Sequence, residues 1–362
     1  MKNGLLVAGC MLLLSACGGG GSGSGDGKKP VPRLAFVTNG VADFWTIGQA
    51  GALKAGQELG VEVQVLMPAG GISEQKDIPE DLITKGVDGV AVSPIDPVNQ
   101  TAILNEVAGR AKLITHDSDA PDSKRLYYIG TDNYKAGRMC GQLVKEVLPE
   151  GGALMIFIGR MEQENSKRRR QGLIDELLDR SDDPTRYDAP GKVIKGDKYT
   201  VLGTLTDQFD RAKAKANAED ALSRYPDLKC MVGLFAYNPP LILQALAQGG
   251  KLGQVKVVAF DEDDETLQGI IDGNVYGTVV QNPYQYGYKS IEVLNQVLEG
   301  DLSGLPDSGL IDIPARLIRK DNVEVFWEDL KKKLATPKRQ EEAKPTEGAS
   351  APAEQIGKGV EE

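Results

Sequence analysis

Val257, Val258, Ala259 and Phe260 run without a polar break straight into Asp261. An apolar run this short suits a parallel strand covered by helices on both faces. A side chain just past the end of such a strand sits where open α/β sheets bind ligands, outside the carboxyl ends of the strands. The arrangement returns twice. Leu113, Ile114, Thr115 and His116 lead into Asp117, and residues 230–236 lead into Tyr237 and Asn238. Any one of these acids could be no more than a helix N-cap. Three strand ends offering hydrogen-bonding groups point instead to a polar-ligand cleft assembled from several strands.

The rest of the chain continues the alternation. Strands are expected over 34–37, 61–66, 87–92, 112–115 and 127–130, with helices following Asp43, near 73–85 and over 97–108. Asp43 is expected to cap the first helix, whose first turn carries Phe44 and Trp45. Neighbouring residues on a helix do not share one stripe, so at least one of these rings should project into the cleft or a groove. A second set follows. Helices are expected over 134–148, 164–178, 207–224, 239–247, 265–271 and 284–298. Strands are expected over 153–158, 193–195, 231–235, 255–260 and 275–280, with one or two short closing strands in 310–318. Regular β–α alternation reads as doubly wound parallel sheet. Ten to twelve strands fit two sheets better than one. The fold class is therefore α/β, in two Rossmann-like lobes with a cleft between them.

The ends read differently. Lys2 and the apolar residues 5–14 have the form of a signal peptide over 1–16, too short to span a bilayer. Leu14-Ser15-Ala16-Cys17 resembles the bacterial lipobox, which implies cleavage before Cys17 and its lipidation. Val7-Ala8-Gly9-Cys10 fits the same pattern but leaves too short an apolar region before it. The Gly/Ser-rich stretch that follows, with Cys17 a segment over 17–31, is a flexible tether. The expected location is the periplasm or cell surface, anchored to the membrane through Cys17. Residues 335–362 are rich in Pro, Glu, Lys, Gly and Ala and read as a disordered tail. The remaining cysteines, Cys140 and Cys230, are expected to be buried free thiols.

A net charge of −10 makes the chain a poor general nucleic-acid binder. His116, the only histidine, lacks the companions of a zinc set. It reads as a satisfied strand-end residue. The acids at 261–265 lack the spacing of a calcium loop and suit a helix N-terminus. No nucleophile elbow, triad or phosphate-cradling glycine motif is evident. The expectation is a non-enzyme without metal or cofactor. Arg168, Arg169 and Arg170 read as a solvated face with pairing inside one lobe.

Taken in order, Asp43-Phe44-Trp45, Ile114 to Asp117, Thr131-Asp132-Asn133 with Gly137, Arg169 with Gln171-Gly172, Phe209-Asp210-Arg211, Asn238, Val258 to Asp261, and Gln281 resemble one family. It is the periplasmic sugar-binding proteins of the ribose-binding type, and the resemblance runs over about 32–319. It implies three chain crossings between lobes, near 131–132, 281–282 and 311–313. One lobe would then hold 32–131 plus 282–312 and the other 132–281 plus 313–334. It also implies that Phe44 and Trp45 flank a sugar ring, with Phe209 opposite. Asp117, Asn238, Asp261 and Gln281 would bond the hydroxyls, and Lys167 would take a basic position on the second lobe. The pattern departs at Ser118 and Lys167, where the family carries Arg, and at Ala42, where it carries Asn. Losing bidentate guanidinium contacts changes which hydroxyl geometry fits, so ribose itself is not implied. The implied function is capture of a monosaccharide (pentose or hexose) or polyol by hinge closure, by a monomer. Delivery would be to the permease and ATPase of an ABC importer, or alternatively presentation to a chemoreceptor or sensor kinase.

Overall fold

The computed structural model describes residues 30–334. The expected leader, Cys17, nearly all of the tether and the tail lie outside the described residues. Among the described residues the chain forms thirteen strands and ten helices.

The first sheet is wholly parallel, in the order β12-β5-β4-β3-β1-β2. Its strands are β1 (Arg33–Val37), β2 (Glu62–Leu66), β3 (Gly89–Val92), β4 (Lys112–His116), β5 (Tyr128–Gly130) and β12 (Leu310–Asp312). Helices α1 (Asp43–Leu59), α2 (Ile72–Lys85), α3 (Pro97–Ala108) and α9 (Pro283–Glu299) accompany it.

The second sheet has the order β13-β11-β10-β9-β6-β8-β7. Its strands are β6 (Gly152–Ile158), β7 (Ile194–Lys195), β8 (Tyr199–Thr206), β9 (Leu228–Gly233), β10 (Lys256–Phe260), β11 (Gly277–Val280) and β13 (Arg316–Ile318). Only its two edge pairings, β11 with β13 and β7 with β8, are antiparallel. Its helices are α4 (Asn133–Val147), α5 (Glu164–Leu177), α6 (Arg211–Arg224), α7 (Asn238–Gln248), α8 (Asp264–Asp272) and α10 (Val323–Leu334). Without β7 the two sheets share one strand order, so β4 and β10 hold equivalent places. The chain passes between sheets after β5, after β11 and after β12.

The buried runs explain why these strands lie where they do. Four consecutive buried residues in β4 and in β10 leave no solvent face, so helices must cover both sides. Two elements escape the sequence reading. β8 was not expected as a strand: threonines and a glycine break up its apolar residues, and its burial alternates over its first five residues. α10 was not expected either, because charges fill its exposed face. Its Val323, Phe326 and Leu330 are buried. The first helix is not capped by Asp43; its N-cap is Ala42, with no side-chain cap bond. Asp132 does cap α4, accepting from the Lys135 amide.

Helix pairs α1–α9 and α4–α5 pack unusually closely. A β-carbon built on Gly51 of α1 would lie 1.9 Å from the Tyr284 carbonyl oxygen, and one on Gly137 of α4 would lie 2.0 Å from that of Arg169. Neither obstacle is a flexible side-chain tip, so the helices must separate. Gly137→Ala is expected to cost about 1–3 kcal/mol of stability, read as a lower urea midpoint. An unchanged midpoint would mean that α5 can shift freely.

The expectation of a solvated face over Arg168, Arg169 and Arg170 fails in part. Arg169 and Arg170 are fully buried; only Arg168 reaches the surface, paired with Glu164 at 2.6 Å. Arg170 donates to Thr204 Oγ1 (2.6 Å) and to the Asp188 carbonyl (2.6 Å), pinning the segment between α5 and β7. Successive helical residues point about 100° apart, so one charged run serves three surroundings. Cys140 and Cys230 are buried free thiols, as expected.

Candidate ligand cleft

The carboxyl ends of both sheets open onto one cavity of about 960 Å³. β1, β3 and β4 bring Asn39, Ser93 and Asp117 together. The Asp117 Oδ2 accepts from Asn39 Nδ2 (3.2 Å), Ser93 Oγ (3.0 Å) and, across the cleft, Asn165 Nδ2 (3.3 Å). The Tyr128 hydroxyl donates to the Asp117 carbonyl oxygen at 2.8 Å. That bond helps hold Asp117 at φ 58°, a region a non-glycine residue rarely occupies.

β10 and β11 supply the matching half. Gln281 Nε2 donates to Asp261 Oδ1 at 2.7 Å, and Asp261 sits at φ 66°. Its backbone amide bonds Val279 O, as the Asp117 amide bonds Ile129 O. Of five described non-glycine residues with positive φ, four line the cleft: Asp117, Gln208, Phe209 and Asp261. Strain gathered at one place is a mark of a functional site.

Arg169 joins the halves electrostatically. Its guanidinium lies 3.8 Å from the Phe260 ring centroid and donates to Asn133 Oδ1 and to the Leu234 carbonyl. Nη1 is 3.8 Å from Asp261 Oδ2. Burial pushes both Asp117 and Asp261 up to about 6, against the pull of Arg169. Burial and the neighbouring Asp261 push Glu262, 4% exposed, up to about 8.

A carboxyl whose folded pKa is raised contributes stability that is complete below its unfolded pKa and is lost as pH rises through the folded value. For Glu262 that window runs from its ordinary value of 4.5 to about 8. Glu262→Gln is therefore expected to flatten the fall in melting temperature across this window. A slope unchanged by the substitution would remove Glu262 as its source.

Of the residues proposed from sequence, Phe44, Trp45, Asp117, Phe209, Asp261 and Gln281 line the cleft. Phe44 and Trp45 do so together while both pack in the same core, their rings 4.9 Å apart and edge to face. Both rings reach the cleft, as expected of at least one, and burial against Tyr286 and Phe36 accommodates both in the core as well. Trp45 Nε1 donates to Asn39 Oδ1 at 2.7 Å.

Two proposed residues lie elsewhere. Lys167 does not line the cleft; it stands 3.9 Å from Glu164 on the outer side of α5. Asn238 is buried but turned away: its Nδ2 donates to Asp207 Oδ2 (3.0 Å) and its Oδ1 accepts from the Phe235 amide (3.1 Å). Arg160, Asn165, Arg169 and Glu262 line the cleft instead. Arg160 lies two residues past β6, with Gly159 between, so a rule that takes only the residue next to the strand end passes over it.

His116 is buried, stacked on Phe36, with Nε2 3.1 Å from the Val37 carbonyl; its Nδ1 has no partner. Burial holds its pKa down at about 3, so the ring is neutral. Among the described residues no three His, Cys, Asp or Glu side chains gather to hold a metal ion.

The Tyr286 hydroxyl ties the crossings together. It lies 2.6 Å from Thr131 Oγ1 and 3.0 Å from Gln281 Oε1, while Thr131 Oγ1 donates to the Ile313 carbonyl. Two like-ordered α/β lobes, hinged by three crossings and facing one polar cleft, define a two-lobed ligand-binding protein. Residues 34–302 match the family model described as a periplasmic binding protein domain, and the chain belongs to that family.

Its relatives include the ribose import binding protein RbsB of Salmonella typhimurium, 26% identical over 71% of this chain and 81% of that protein. The D-ribose/D-allose-binding protein of Pseudomonas aeruginosa is 24% identical over 79% of this chain and 88% of its own. Among solved structures, an ABC transporter solute-binding protein from Burkholderia graminis in complex with D-arabinose is 28% identical. It superposes with a TM-score of 0.72, over 80% of this chain and 96% of that one.

Proposed function

We propose that the chain is a monomeric solute-binding protein that captures a monosaccharide or polyol by closing its lobes and delivers it to an ABC importer. The observation that carries this reading is the facing pair Asp117 and Asp261. They come from equivalent strand ends of the two lobes, and each carboxylate is only partly committed to protein donors. A hydroxyl-rich ligand supplies donors to both at once and so favours the closed form. The apolar face of a sugar ring fits the Phe44 and Trp45 rings, with Phe209 on the other wall.

The curated relatives are ribose- and ribose/allose-binding proteins by name, and the Burkholderia solute-binding protein was solved with D-arabinose, which supports a sugar and a binding rather than a catalytic role. The signal peptide, lipidation at Cys17 and tether belong to the same proposal: an anchored body sampling the space above a membrane. So does the division into lobes of 32–131 plus 282–312 and 132–281 plus 313–334.

Calorimetry against pentoses, hexoses and polyols tests the ligand class. Micromolar binding, about −8 kcal/mol, is the expected result. Absence of heat with every member of the panel would overturn it.

A further inference from the structure

The cavity is larger than one sugar ring requires. A hexose has roughly twelve heavy atoms; granting each the ~30 Å³ of a liquid water molecule gives at most about 360 Å³. The cleft holds about 960 Å³. A gaping cleft would explain the excess, but the lobes already meet. Asn165 of the second lobe bonds Asp117 of the first at 3.3 Å. At the far end, a β-carbon built on Gly71 would lie 4.0 Å from Arg160 Nη2. The Asn165–Asp117 bond, together with the narrow gap between Gly71 and Arg160, limits how far further closure can shrink the space between them.

The groups near the two ends differ. The floor carries Asp117, Asp261, Gln281 and the Trp45 ring, a complete set for one ring. The far end is walled by residues 68–73 of the first lobe and by Arg160 and Gln208 of the second, with Phe209, under Arg160, the wall shared with the first ring. The Arg160 guanidinium lies over the Phe209 ring, 4.9 Å from its centroid, and its buried Nε has no acceptor. No carboxylate pairs with it among the described residues. Gln208 and Phe209 are both held at positive φ, 61° and 65°. A buried donor without an acceptor is costly, and strained backbone persists where the surroundings impose it. Both features point at the same wall.

Resting on the sugar-binding reading above, we infer that the cleft takes a ligand of two linked rings. The first ring lies on the Asp117–Asp261 floor, and a second lies against Arg160 and the 68–73 loop, its ring oxygens or hydroxyls accepting from the guanidinium. By the same upper bound a disaccharide needs roughly 690 Å³, which the cavity accommodates.

Calorimetry on the full chain, comparing cellobiose, lactose and xylobiose with D-glucose, D-galactose and D-xylose, tests this. At least one disaccharide should bind about tenfold or more tightly than either of its component sugars. In Arg160→Ala, and in the longer Arg160→Gln, that ratio should fall about tenfold, with melting temperature recorded to verify folding. A monosaccharide binding as tightly as every disaccharide would overturn the two-ring inference while leaving the sugar-binding reading intact. A ratio unmoved by both Arg160 variants would overturn it as well. No binding by any of the six sugars would overturn both.

Discussion

Replacing Asp117 with Asn is expected to weaken sugar binding about 100-fold while leaving the unliganded protein as stable as before, or slightly more so. The two effects have opposite signs because they come from opposite sides of one burial. Desolvation holds the Asp117 carboxyl at about 6, so the apo protein bears the cost of a nearly dry charge. An amide of the same shape removes that cost. The ligand loses hydrogen bonds to a charged acceptor, each worth about 1.5–3 kcal/mol, and tenfold in affinity is about 1.4 kcal/mol.

The same carboxyl gives binding a pH dependence. Hydroxyl donors favour the ionised form, so affinity should rise with pH through about 6 and the rise should be shallower in the variant. Asp117→Asn binding within about threefold of the parent would place the ligand away from this floor.

Arg169→Met should behave in the contrary way, losing stability first. The guanidinium is buried, engaged with Asn133 and Leu234, lies 3.8 Å from the Asp261 carboxyl and also pulls on that of Asp117. Removing one partner of such an arrangement leaves Asp261 uncompensated and costs about 3–5 kcal/mol. The loss should show as a lower urea midpoint in the unliganded protein, most steeply above about pH 6, where the carboxyls ionise. Arg169→Lys keeps the charge but not the planar fork over Phe260, so it should recover only part of the loss. If Arg169→Met melts like the parent, Asp117 and Asp261 do not depend on this arginine for their charge.

Much of this site could be anticipated because strand-end position is a local property. An apolar run of four or five residues sets the strand, and the next residue is at its carboxyl end. Asp117, Asp261 and Gln281 follow from that rule alone. Phe209 needed the family resemblance, because the strand before it, β8, has no unbroken apolar run. Lys167 shows where the reading fails. Asn165 and Arg169 are four residues apart on α5 and share one face, whereas Lys167 lies between them and faces away. Which face of α5 meets the cleft depends on how Gly137 and Gly172 let that helix settle on α4.

By itself the sequence determined the alternating α/β plan, the strand ends and the acids placed on them, since each depends on a few neighbouring residues. Only the tertiary structure decided which side chains converge. Asn238 is drawn off by Asp207, Arg160 and Glu262 are brought in, and Asp117 meets Asn165 from the other lobe. The reason is geometric: helix rotation and the approach of two lobes are set by packing between residues far apart in the chain, and no short stretch encodes them.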